Sequence, residues 1–85
     1  MYPTPTELRA GRSLLNLTQE EMAKLAGVSV RTLISVEQGR GTIAALHSVM
    51  GAMMGMGLRY DLAADGKRVV ISYDRVEDVD PKQRP

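Results

Sequence analysis

Apolar residues recur at helical spacing through the first two thirds of the chain and alternate one by one near its end. Leu8, Gly11, Arg12 and Leu15 share one face of a first helix, and Asn16 marks its exit. Thr4 caps that helix, Pro5 opens it and Glu7 completes a capping box. Met22, Leu25 and Ala26 give the inward face of a second helix, opened by the box Thr18–Glu21 and closed by Gly27. Ser29 caps a third helix to about Gln38, with Leu33 and Val36 inward, Val28 at the turn and Gly39 at the stop. Thr42 caps a fourth, whose expected buried stripe is Ile43, Leu46, Val49, Met50 and Met53. Past residue 57 the period becomes two. With Asp65-Gly66 as a two-residue turn, Leu62 faces Val69, Tyr60 faces Ile71 and Leu58 faces Tyr73. These six residues then occupy one face, with Arg59, Asp61, Val70 and Ser72 on the other, and a one-residue slip would scatter them. The spacing predicts a hairpin over 58–73, and the polar, mixed-charge stretch 74–85 predicts a mobile tail.

The two middle helices carry the functional signal. Joined by a tight glycine turn, LTQEEMAKLAGVSVRTLISVEQG has the shape needed to place one helix in a DNA major groove. Ser29, Val30, Arg31 and Ser35 are left outward near the N-terminal end of the second of these helices, the end from which bases are read. Val30 suits a thymine methyl as well as ordinary exposed aliphatic surface.

The segment TQEEMAKLAGVSVRTLISVEQG resembles the lambda repressor/Cro-type, or XRE, helix-turn-helix transcriptional regulators. The resemblance implies a mainly α fold, a bundle of four to five helices over roughly residues 5 to 56, followed here by a C-terminal β-hairpin. It implies that Gln19 binds near the DNA backbone and that Ser29, Val30, Arg31, Thr32, Ser35 and Arg40 form the DNA-facing set. It also implies a structural salt bridge between Arg12 and Glu37, although sequence alone would allow Arg12 as a DNA contact. The connection after the third helix is longer and more basic in the family, and only Arg40 remains here.

Charge moderates this picture. The 85 residues carry a formal net charge of +1. Residues 1–57 hold five basic side chains, Arg9, Arg12, Lys24, Arg31 and Arg40, against four acidic ones, so a strongly basic footprint is absent. Helix N-termini can still bind phosphate through backbone N–H groups, and a shallow salt dependence is expected.

Other chemistry finds little support. There is no cysteine, no glycine-rich phosphate loop and a single histidine, His47, which is read as surface or interface rather than metal ligand or base. No enzyme activity, cofactor, metal or small-molecule effector is expected. The longest apolar run, VMGAMMGMGL, is ten residues, against about 20 needed to span a bilayer. The absence of thiols and of a signal-like start suits the cytoplasm.

The expected organisation is a DNA-binding domain over 1–57, a packing or dimerisation hairpin over 58–73 and the tail. The expected function is a homodimeric, sequence-specific repressor of double-stranded DNA, with the helix at 29–38 in the major groove. Candidate dimerisation residues are Met53, Met56, Leu58, Tyr60, Leu62, Val69, Ile71 and Tyr73, because a lone two-stranded ribbon needs cover. The alternative is an antitoxin-type component that binds a toxin protein as well as operator DNA.

Overall fold

The computed structural model describes residues 3–74; the tail expected over 74–85 lies, from residue 75 on, outside them. Four helices come first: α1 (Pro5–Leu14), α2 (Gln19–Ala26), α3 (Val30–Glu37) and α4 (Ile43–Gly55). An antiparallel pair follows, β1 (Leu58–Leu62) and β2 (Val69–Tyr73). Among the described residues the bundle thus has four helices, the lower of the two expected numbers.

The helices begin where side-chain oxygens can take up orphan backbone donors. Thr4 and Thr18 each form a reciprocal capping box, with Glu7 and Glu21. Ser29 and Thr42 cap α3 and α4 through the N–H groups of Thr32 and Ala45. Each such cap contributes about 1 kcal/mol. Gly27 ends α2 in the left-handed region at φ 72°, which lets the chain turn directly into α3.

Leu8, Leu15, Met22, Ala23, Leu33, Val36, Ala45, Val49, Met53 and Leu58 form one core shared by all four helices and β1. Ala26, Val28, Leu46 and Met50 pack against it partly buried, while two expected core residues stand outside. Leu25 is 54% exposed and Ile43 61%. In α2 the buried line runs through Met22, Ala23 and Ala26, which leaves Leu25 about a third of a turn off its centre. In α4 the phase is set by Ala45, Val49 and Met53 at four-residue spacing, and Ile43 falls on the opposite side. That helix is apolar nearly all round, so its sequence alone does not define the phase.

The hairpin has the register that its apolar pattern requires: Leu58 pairs with Tyr73, Tyr60 with Ile71 and Leu62 with Val69. Its turn is wider than expected. A two-residue type I′ turn needs positive φ at both Asp65 and Gly66, and only Gly66 has it, at 71°. The loop instead closes at Ala63 N–H to Arg68 O (2.7 Å), with a β-turn from Ala63 to Gly66 and the Asp65 carboxylate accepting from Lys67 N–H (2.9 Å). Asp65 is thereby spent on its own backbone, which favours the wider turn.

The ribbon leans on the helices through both strands, with Ile71 and Tyr73 of β2 against the core and the closest ties made by β1. Leu58 is fully buried, and the Tyr60 hydroxyl donates to the Glu7 carbonyl of α1 at 2.8 Å. Burial, with Glu7 nearby, pushes the Tyr60 phenol up to about 12. Gly11 makes this approach feasible: a Cβ there would collide with the Tyr60 hydroxyl and lie 2.7 Å from Leu58 Cδ2. Arg59 adds a tie by donating to Met54 O (3.0 Å) at the end of α4.

Of the candidate dimerisation residues, Met53 and Leu58 are both 0% exposed within the single chain. Their apolar surface is already used in the core, so neither is available to a partner. Leu62 is 49% exposed, while Met56, Tyr60, Val69, Ile71 and Tyr73 are half-buried.

Candidate nucleic-acid interface

α3 is held from one side and open on the other. Leu33 and Val36 fix its inner face in the core, and Glu37 anchors its last turn at 2% exposure. The Glu37 carboxylate accepts from Arg12 Nε (2.7 Å) and Nη2 (3.2 Å), a two-pronged ion pair between α1 and α3. Arg12 Nη1 also donates to Leu17 O at 3.1 Å, so this guanidinium is absorbed into the scaffold. Arg9 Nη1 donates to Glu37 O (2.6 Å), satisfying a carbonyl that the helix end would leave orphaned.

The outer face carries Arg31 and Ser35, with Thr32 on its flank and Val30 at the helix start, on the edge nearer the core. Val30 is 37% exposed, Arg31 is exposed, and Thr32 and Ser35 are partly covered. Ser29 is occupied by the helix it caps. Its Oγ accepts from Thr32 N–H (3.0 Å) and donates to Thr32 Oγ1 (2.9 Å). That leaves the Thr32 hydroxyl proton free to point away from the helix. Arg40 is exposed beyond the end of α3, and its backbone N–H is fixed on Ser35 O at 2.8 Å. Among the described residues, Arg31 and Arg40 thus stand on one element and its exit as cations outside the scaffold's ion pairs.

Gln19 is the one expected contact whose surroundings sequence reasoning missed. Its Nε2 donates to Glu37 Oε1 at 3.1 Å, so it joins the Arg12–Glu37 pair. The signal was present in the spacing: Gln19 lies three, four and seven residues before Met22, Ala23 and Ala26, on the inward line of α2. At the same helix end the capping box uses the N–H groups of Thr18 and Glu21, leaving those of Gln19 and Glu20 directed out of the helix. Beside it, Arg9, Arg12, Ser13, Asn16, Leu17 and Thr18 line an open concavity of about 400 Å³, roomy enough for a phosphate group.

Comparison with known proteins decides what this arrangement is. A family model described as helix-turn-helix matches residues 8–47, from within α1 to the first turns of α4. The chain is 33% identical over 69 residues, 76% of its length and 90% of the relative's, to y4mF, an uncharacterized HTH-type transcriptional regulator of Sinorhizobium fredii. The chain belongs to the XRE-type helix-turn-helix transcriptional regulators. A second HTH-type regulator, MJ0272 of Methanocaldococcus jannaschii, is 50% identical over 34 residues, 40% of this chain and 52% of that protein. The chain is a DNA-binding transcriptional regulator. No described helix of this regulator is long and apolar enough to cross a membrane.

Proposed function

We propose that the protein is a homodimeric repressor that occupies a two-fold symmetric operator, with one α3 in the major groove of each half-site. The observation that carries this reading is the polarity of α3. Its inner face is fixed by Leu33, Val36 and the Glu37 ion pair, while Arg31 and Ser35 lie on the other side and Val30 is uncovered at the helix start. In the proposed complex Arg31 reads a base edge, Val30 packs on a thymine methyl, and Thr32 and Ser35 bond to bases or phosphates. Gln19, with the N-terminal N–H groups of α2, meets the backbone on one side and Arg40 meets it on the other. Ser29 contributes by capping the helix that presents them.

Dimerisation is supported by the small size of the chain and by the half-exposed apolar pair Leu62–Val69 at the far end of the hairpin. Two recognition helices related by a dyad imply half-sites about 10 base pairs apart, or a multiple of that.

Selection of bound sites from a random duplex library tests the reading. Enrichment of a palindrome is expected, and its spacing reports the dimer geometry. A folded sample that enriches nothing at low salt would overturn the DNA reading and direct the search to a protein partner, including a toxin.

A further inference from the structure

We propose that Glu37 is a positioning residue for DNA contact: its buried carboxylate sets the orientation of the Gln19 side-chain amide at the phosphate-facing end of α2. The inference rests on the DNA-binding reading above and adds a residue that touches no DNA itself. Glu37 Oε2 accepts from Arg12 Nε at 2.7 Å, and Oε1 accepts from both Arg12 Nη2 (3.2 Å) and Gln19 Nε2 (3.1 Å). All three groups are donors, and they converge on the two oxygens of one carboxylate. The Gln19 amide therefore has one admissible orientation. Turned the other way, its oxygen would face a carboxylate oxygen at 2% exposure, an unsatisfied contact in a poorly solvated place.

That orientation has a consequence at the helix end. One Nε2–H is committed to Glu37, which leaves the second for a phosphate at the helix end where the backbone N–H groups of Gln19 and Glu20 are also unspent. A phosphate oxygen arriving there meets donors that are already ordered. Ordering a free glutamine on the DNA would instead lower affinity by about two- to tenfold. Glu37 is also the last residue of α3, and its main-chain carbonyl is held by Arg9 at 2.6 Å. One residue thus fixes the end of the recognition helix against α1 and, through the same carboxylate, the side chain that meets the backbone from α2.

The test is a double-mutant cycle on the selected operator, with Glu37→Gln, Gln19→Met and both together. A carboxamide keeps the shape but has a single acceptor oxygen, which the Arg12 guanidinium claims; its NH2 group then faces donors and releases Gln19. Glu37→Gln is expected to weaken binding about two- to tenfold more in the otherwise unaltered chain than in a Gln19→Met background. An equal effect in both backgrounds would mean that Glu37 serves only the scaffold, and would overturn the proposal.

A second measurement needs neither DNA nor a stable variant. The side-chain amide protons of Gln19 in the unsubstituted protein, followed by NMR, are expected to be shifted from free-glutamine positions and protected from exchange. Free-glutamine behaviour there refutes the proposal outright. If instead the amide is held and no duplex is ever enriched, the DNA reading fails while the Glu37–Gln19 link stands.

Discussion

Arg12 and Glu37 show how much a single ion pair can matter when one partner is buried. The carboxylate is 2% exposed and takes three side-chain hydrogen bonds. Arg12→Met leaves it without its cation, and the expected loss of stability is about 3–5 kcal/mol, the range for breaking one side of a buried pair. Replacing both residues by apolar ones of similar size is expected to recover much of that loss, and chemical denaturation of the single and double variants checks it. Arg31 has the opposite character: it is exposed, so Arg31→Ala leaves stability within about 0.5 kcal/mol. In the proposed complex the same change weakens operator binding by about 1–3 kcal/mol and relaxes preference at one base pair. Unchanged affinity and preference would remove Arg31 from the reading set. Tyr60 gives a pH signature. Its folded pKa is raised from 10.0 to about 12 by burial and by Glu7, so the folded state holds the phenolic proton more tightly than the unfolded chain. The stability linked to that proton is complete below pH 10 and is lost as pH climbs from 10 through about 12. Denaturation midpoints across that window should fall more steeply for this protein than for a Tyr60→Phe variant.

The elements meet through small residues as much as large ones, and two glycines separate the cases. At Gly11 a methyl group would run into the Tyr60 hydroxyl and Leu58 Cδ2, so Gly11→Ala must push the hairpin off α1. The expected cost is about 1–3 kcal/mol, as for other overpacked sites. At Gly51, inside α4, a Cβ meets nothing within 4 Å. Gly51→Ala should therefore stabilise the fold by up to about 1 kcal/mol, the difference in helix propensity. Thermal melts of the two variants moving in opposite directions would bear this out, and a stabilising Gly11→Ala would refute the packing account. The contrast also marks where the sequence was legible. Caps and strand register depend on residues within a few positions of each other, so Thr4, Thr18, Ser29, Thr42 and the hairpin pairing were readable from local pattern. The phase of α4 was not, because a helix apolar on all sides shows no preferred face until a neighbour chooses one. Gly11 against Tyr60 joins residues 49 positions apart, a contact with no local mark, and the spacing of Gln19 marks its inward face but not Glu37 as its partner. For the candidate DNA-facing set, local pattern gave Ser29 as a cap, but not that Gln19 is tied from behind.

At the scale of the whole molecule, modest net charge and a small core bear on how it binds. Of the five cations in residues 1–57, Arg12 is spent on Glu37, Arg9 on the end of α3, and Lys24 lies in the last turn of α2, while Glu20 and Glu21 sit at the N-terminal end of that helix. Two exposed arginines per protomer, Arg31 and Arg40, remain as the main electrostatic contacts in the proposed complex. At about 0.9 released counterions per neutralised phosphate, a dimer is expected to show a slope of about −4 in log affinity against log salt. A slope on the order of −8 or steeper would mean a basic surface that this arrangement does not contain. In the proposed complex affinity then comes from having two half-sites engaged at once, and the proposed dimer is a condition of tight binding rather than an accessory. Leu62 offers the means to test that link. It is 49% exposed in the single chain, so Leu62→Asp costs little within a protomer, but it would place a charge in an interface built on the Leu62–Val69 end of the hairpin. Sedimentation at micromolar concentration is expected to show a dimer for the unsubstituted protein and a folded monomer for this variant. Operator binding by the variant should fall by at least about a hundredfold, the low end of what linking two sites confers. A dimer that survives the substitution would place the interface elsewhere, and a monomeric unsubstituted protein that still binds a full palindrome tightly would show that the dyad forms only on DNA.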